Sequence, residues 1–252
     1  MAMDPRYAVY PFGDAALIVE TADEISESSY RRIKGLAEAI AENPPKALIE
    51  TIPSYRSLLV AYDSLLADYA SMEGAILSLI SLAEASDEAS GASISETVRI
   101  PICYKYPHGL DLDEVARHTG LKPGEVVELH SANTYLVYML GFTPGFPYLG
   151  GMSERIATPR RLSPRTKIPG GSVGIADRQT GIYPMESPGG WNIIGRTPLS
   201  LFDHTREPPA LLKAGNYIRF YPISSDEFDR IASDVGRGAW APEIEKTRRG
   251  EA

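Results

Sequence analysis

From Gly141 to Trp191 glycine, proline and large aromatic residues follow one another more densely than anywhere else in the chain. The segment opens with Gly-Phe-Thr-Pro-Gly-Phe-Pro-Tyr-Leu-Gly-Gly, Gly141 to Gly151, and closes with Glu-Ser-Pro-Gly-Gly-Trp, Glu186 to Trp191. Between these ends lie Thr158-Pro159-Arg160-Arg161, Ser163-Pro164-Arg165 and Pro169-Gly170-Gly171-Ser172-Val173-Gly174. Proline fixes φ and extends the residue before it, while glycine adopts φ values other residues avoid, so this is irregular backbone held in one shape. Phe142, Phe146, Tyr148, Tyr183 and Trp191 ride on it and, with Gln179, form the expected binding surface. The same rings would equally suit the inside of a β-barrel at its tight corners.

At 252 residues the chain exceeds the usual single domain of roughly 100 to 150, which makes two domains the expectation. A net charge of −8 and a pI near 5.1 argue against a general binder of nucleic acid or anionic membrane, and leave proteins or small molecules as partners. Cys103 is the single cysteine, so no intramolecular disulfide can form. The start, Met-Ala-Met-Asp-Pro-Arg, lacks a signal-peptide pattern, and no apolar run reaches the roughly 20 residues that span a bilayer. The cytoplasm is the expected compartment.

Periodicity divides the chain into a small N-terminal α+β domain over 1–90 and a strand-rich domain with a C-terminal helix over 97–240. In the first, Tyr7 to Glu20 reads as strand broken at Pro11-Phe12-Gly13, Ile25 to Glu42 as helix, Ala47 to Ile52 and Ser57 to Tyr62 as strands, and Leu65 to Ala83 as helix. Ala83 to Glu96 reads as a solvated linker or a helix extension. In the second, Thr97 to Cys103 is a strand, and Asp111 to His118 and Pro123 to Ser131 are short helices. Tyr135 to Leu140 is apolar on both faces, as a barrel wall would be. Further strands are expected at Ser172 to Ala176, Gly181 to Met185, Asn192 to Phe202 with an interruption at Thr197-Pro198, and Tyr217 to Pro222. Ser224-Ser225-Asp226-Glu227 is a capping box that starts the last helix, and Glu243 to Ala252 is charged and expected to fray.

Familiar catalytic signatures are missing. Pro169 to Gly174 lacks the lysine and hydroxyl residue of a P-loop, so no nucleotide motif is present, and the scattered histidines His108, His118, His130 and His204 make a metal site unexpected. Cys103 lies in an apolar strand and reads as core. What remains is a cationic cluster, Arg155, Arg160, Arg161, Arg165 and Lys167, in an otherwise acidic chain. Arg160, Arg161 and Arg165 are the candidates for holding a carboxylate or phosphate, with an acidic partner protein or bulk water as the alternatives. Glu186 is a candidate general base or a partner for one of these arginines, and His130 is a candidate catalytic residue or a simple partner of a helix C-terminus.

These motifs, together with Gly171-Ser-Val-Gly-Ile, Gln179-Thr-Gly-Ile-Tyr-Pro and Gly195-Arg-Thr-Pro, resemble the family that comprises the 5-oxoprolinase B subunit, allophanate hydrolase subunit 1 and the sporulation kinase inhibitor Kip. Gly13-Asp-Ala-Ala-Leu and Pro53-Ser-Tyr-Arg-Ser-Leu-Leu-Val resemble its N-terminal domain. The pattern departs at Lys105-Tyr106-Pro107-His108. The resemblance implies a cyclophilin-like β-barrel in the C-terminal domain. It also implies a hydrolase component that is inactive alone. With a second cyclophilin-like protein, the C-type component, and a ring-opening protein, the A-type component, it would use ATP to hydrolyse 5-oxo-L-proline to L-glutamate. Regulation of a histidine kinase and a part in allophanate hydrolysis are the family's alternatives.

Overall fold

The computed structural model describes residues 6–21, 24–89 and 94–248. It divides into two compact units, Met1–Ser93 and Ile94–Ala252.

In the first unit β1 (Tyr7–Pro11) and β2 (Ala16–Thr21) flank the turn at Phe12-Gly13, α1 spans Glu27–Glu42, β3 (Leu48–Pro53) and β4 (Ser57–Tyr62) form a hairpin, and α2 spans Tyr69–Ala89. The four strands form an antiparallel sheet in the order β1-β2-β4-β3. Alternation places Leu17, Val19, Leu58 and Val60 on one face, where Ile33, Leu36 and Ile40 of α1 and Met72, Ile76 and Ile80 of α2 cover them. Ser26 starts α1 by accepting the Ser29 N–H at 3.1 Å, and the helix stops at Asn43, ahead of Pro44-Pro45. α2 runs on to Ala89, so much of the expected linker is helix; 90–93 lies outside the described residues.

The second unit begins with β5 (Ile94–Ile102), α3 (Leu112–Thr119), α4 (Pro123–Ser131), β6 (Thr134–Leu140) and β7 (Pro147–Gly150). β8 (Arg165–Ile168), β9 (Ser172–Ala176), β10 (Gln179–Ile182), β11 (Ser187–Gly189) and β12 (Asn192–Arg196) follow, then β13 (Tyr217–Pro222), α5 (Ser225–Gly236) and β14 (Ile244–Arg248). Eight strands form one curled, half-barrel sheet in the order β12-β9-β10-β7-β6-β13-β5-β14, with only β13 and β5 parallel. The curl brings β12 back to the end of β5, where Cys103 and Arg196 exchange both backbone hydrogen bonds at 2.9 Å. β8 and β11 form a separate two-stranded ribbon at the mouth of the sheet's irregular loops.

Inside the curl, Val137, Leu149, Val173, Ile175, Ile182, Ile194 and Phe220 pack with Val115 and Val126 of the two short helices. The capping box forms as read: Ser224 accepts the Glu227 N–H at 3.2 Å, and the Glu227 carboxylate accepts the Ser224 N–H at 2.8 Å. The charged C-terminus departs from expectation. Ile244–Arg248 pairs antiparallel along β5, and Glu243 and Glu245 meet Arg99 across the strands. An edge strand faces water, so its composition reads as a tail while its backbone completes a ladder. Among the described residues no helix is long and apolar enough to cross a membrane.

Candidate functional site

A cavity of about 470 Å³ opens where the glycine-proline loops converge. It is lined by Phe142, Phe146, Tyr148, Arg160, Arg161, Pro164, Gln179, Tyr183, Pro188, Gly189, Gly190 and Trp191. Phe146, which leads into β7, is its centre. Its ring meets Trp191 at 5.8 Å and 89°, Tyr183 at 5.7 Å and 87°, and Tyr148 at 5.3 Å and 60°. Edge-to-face packing of this kind joins the positive ring edge to the negative face and fixes each plane. Gly181 on β10 leaves room for the group, since a Cβ there would stand 3.0 Å from the Phe146 ring and 3.2 Å from that of Trp191. Burial pushes the Tyr183 phenol up, against the opposing pull of the Trp191 N–H and the Arg160 and Arg165 charges.

The expectation of an exposed aromatic surface is corrected in part. Phe146, Tyr183 and Trp191 are buried, forming a small core of their own with Ile168, Ala176 and Ile193, because each ring covers the others. Phe142 alone of the set stands well out, at 70% exposure. It occupies the apex of a tight turn closed by the Thr143 N–H on the Gly141 carbonyl at 2.7 Å, with φ at 63°. Positive φ is strained for a bulky residue, and its ring leans edge-on to Phe146 at 5.7 Å.

Arg165 makes the two-bond fork expected of a guanidinium on constrained backbone, but toward an internal carboxylate. Its Nη1 and Nη2 donate to Asp111 Oδ2 and Oδ1, each at 2.7 Å, and Arg161 Nη1 donates to the same Oδ1 at 2.9 Å. The Ile193 backbone N–H adds a fourth bond, to Oδ2 at 2.7 Å. Asp111 is 4% exposed, and these donors saturate it. Arg165 therefore anchors the loop through both terminal nitrogens and Arg161 through one, each directed to this internal carboxylate. Arg161 Nε is buried, with no hydrogen-bond partner among the described residues. Arg160 differs: its Nε lies 3.7 Å from Asp177, and both side chains are largely exposed. Sequence reasoning misses Asp111 because an aspartate before Leu112 reads as a helix start; it does precede α3, yet its side chain makes no capping bond.

The remaining candidates lie elsewhere. His130 is completely buried, stacked on Phe220 at 4.7 Å and 12°, and does not line the cavity. Thr180 Oγ1 donates to the Gly174 carbonyl at 3.0 Å, and therefore accepts from His130 Nε2 at 2.9 Å. Nδ1 is left to accept the Tyr104 hydroxyl at 2.8 Å. Burial lowers the His130 pKa to about 3, which keeps the ring neutral. Glu186 is exposed and pairs with Lys167 at 3.1 Å, outside the cavity wall. Cys103 is buried. His108 stacks on Phe228 of α5 at 4.1 Å, so the divergent Lys105 to His108 loop is turned toward that helix. At Pro169 to Gly174 the Gly171 N–H is bound to the Tyr183 carbonyl at 2.7 Å and is not presented to a phosphate. Among the described residues no group of three or more His, Cys, Asp or Glu could hold a metal ion.

A family model described as "Carboxyltransferase domain, subdomain C and D" matches residues 7–212, which include Asp111 and the whole cavity wall. The 5-oxoprolinase B subunit of Bacillus subtilis (strain 168) is 44% identical over 233 residues, 90% of this chain and 97% of that protein. The chain belongs to the 5-oxoprolinase B-subunit family. Among solved structures, a conserved uncharacterized protein of Pyrococcus horikoshii is similar to this family member at 45% identity and a TM-score of 0.52, covering 88% of this chain and 100% of that one. The urea amidolyase of K. lactis shares the fold, with a TM-score of 0.80 at 21% identity over 97% of this chain and 16% of that one.

Proposed function

We propose that this chain is the B subunit of an ATP-dependent 5-oxoprolinase that opens 5-oxo-L-proline to L-glutamate in the cytoplasm. It acts with a second cyclophilin-like protein, of the 5-oxoprolinase C-subunit or allophanate hydrolase subunit 2 type, and with a ring-opening protein of the A-subunit type. The observation that carries this reading is the match to the Bacillus subtilis B subunit, which extends over 97% of that protein. The likeness to urea amidolyase, at 21% identity, is one of fold and favours the allophanate alternative less.

The cavity supports the reading chemically. A lactam carbonyl resists attack by water, and transfer of a phosphoryl group from ATP to its oxygen makes the ring carbon electrophilic. Water then adds to that carbon and the ring C–N bond breaks, leaving an acyl phosphate; a second water hydrolyses it to the carboxylate and inorganic phosphate. Holding the lactam against the aromatic wall orients its carbonyl, and a cation at the edge of the site favours the negative charge that develops. The chain carries no nucleotide motif, so ATP is assigned to the assembled complex.

The test is reconstitution. Glutamate release from 5-oxoproline and ATP is measured with all three proteins and with each omitted in turn. Turnover only in the complete mixture supports the reading; full turnover by this chain alone, or none in any mixture, overturns it.

A further inference from the structure

We propose that the aromatic cavity takes a small carboxylic acid with a compact ring, and that Arg160 is the residue that reads its carboxylate. The inference deepens the 5-oxoprolinase reading above, on which its choice of ring depends.

Of the three arginines at the cavity or behind it, two are committed. Arg165 holds Asp111 with both terminal nitrogens at 2.7 Å and Arg161 with one at 2.9 Å, and that carboxylate accepts nothing more. Among the described residues Arg160 pairs with Asp177 alone, at 3.7 Å, with side chains 62% and 65% exposed. A pair so long and so wet contributes little, and an incoming carboxylate displaces it easily.

The backbone that carries Arg160 is nevertheless fixed, because both neighbours are pinned. The Asn192 side chain donates to the Pro159 carbonyl at 2.9 Å, and the Arg161 N–H donates to the Gly190 carbonyl at 2.8 Å. Thr158 exchanges both backbone bonds with Asp177 at 3.2 and 2.7 Å. A guanidinium carried on backbone fixed in this way can close on a carboxylate through two parallel bonds.

The rest of the wall agrees. No acidic side chain lines the cavity among the described residues. Phe146, Tyr183 and Trp191 meet at nearly right angles, and the exposed Phe142 ring that leans on Phe146 offers apolar surface to a ring. A volume of about 470 Å³ lies within the range of small-ligand sites, roughly 300 to 1,000 Å³.

Binding is read from Trp191 fluorescence in the full chain carrying Trp240→Phe, which leaves one indole. Three probes separate the two ends of the ligand: 5-oxo-L-proline, cyclopentanecarboxylate, which lacks the lactam, and 2-pyrrolidinone, which lacks the carboxylate. Both acids are expected to bind at least about tenfold more tightly than 2-pyrrolidinone. Arg160→Gln should abolish that preference while 2-pyrrolidinone binding stays unchanged. Arg155→Gln, outside the wall, should change nothing. Asp177→Asn keeps the side-chain shape and tolerates the positive φ, so it should tighten acid binding about twofold or more by removing the competing carboxylate.

Equal binding of acids and amide, no binding of either acid, or a preference that survives Arg160→Gln overturns the inference. The two readings fail separately. If Arg160-dependent acid binding is found while the reconstituted complex releases no glutamate, the assignment of Arg160 stands and the 5-oxoprolinase reading falls. If the complex turns over and Arg160→Gln leaves KM unaltered, the inference falls alone.

Discussion

Arg165 closes both terminal nitrogens on the two carboxylate oxygens of Asp111, 54 residues earlier, at 2.7 Å each. Breaking a buried pair strands the other charge, at a cost of about 3 to 5 kcal/mol. Asp111→Ala also orphans Arg161 and the Ile193 N–H, so its thermal midpoint should fall by roughly 10 °C or more. Arg155→Ala, an exposed cation, should shift it by less than about 1 °C. Equal melts for the two variants would show that the clamp adds no stability.

His130 should make the protein acid-sensitive. Its folded pKa, about 3, lies below the ordinary histidine value near 6.5, so the unfolded chain takes up a proton first as pH falls. The stability it contributes is complete above about 6.5 and is lost as pH drops toward 3. The slope is about 1.4 kcal/mol per pH unit, beyond the effect of the carboxylates. Denaturant midpoints at pH 7, 6 and 5 should decline in the wild type and flatten in His130→Gln, whatever that variant's stability at neutral pH.

Phe142 and Phe146 should respond in opposite ways. Phe142→Gly removes an exposed ring and relieves a backbone at φ 63°, so stability should stay level or rise by up to about 1 kcal/mol. Phe146→Ala empties the centre of the small aromatic core and should cost about 3 kcal/mol or more. Chemical denaturation of both variants decides the matter; a larger loss from Phe142→Gly would reverse the assignment.

Removing residues 244–252 should uncover the edge of β5 from Ile94 to Val98, which β14 pairs. Lost ladder bonds should lower stability by at least about 2 kcal/mol. An open edge also invites pairing with a second copy, so the truncated chain should show concentration-dependent association on size exclusion, unlike the full chain.

Local order is readable where one stretch contains its own reasons. Ser57–Tyr62, Pro123–Ser131, Ser172–Ala176 and Tyr217–Pro222 fall where alternation, a first-turn proline and flanking turn residues put them. The residues of the cavity are likewise marked by composition, since Phe142, Phe146, Tyr148, Arg160, Arg161, Gln179, Tyr183 and Trp191 all line it. What the chain does not disclose is pairing across distance. Arg161 and Arg165 look free in the sequence because their partner lies 50 and 54 residues away, and nothing in a linear pattern marks Asp111 as its holder. His130 misleads for a related reason: a helix end is normally wet, and only the approach of Phe220 and Tyr104 from distant parts of the chain buries it.

The parallel register of β5 with β13 sets a schedule for the growing chain. Ile102 pairs with Pro222, and Tyr217 pairs with Thr97, so β5 waits for its neighbour until more than a hundred further residues have been polymerised. At usual synthesis speeds that interval is on the order of ten seconds. The four-stranded sheet of the first unit, with partners from Tyr7 to Tyr62, has all its strands synthesised long before. Through that interval a strand carrying Val98, Ile100 and Ile102 has no ladder to join, and this is when the nascent chain most needs shelter from its neighbours on the polysome.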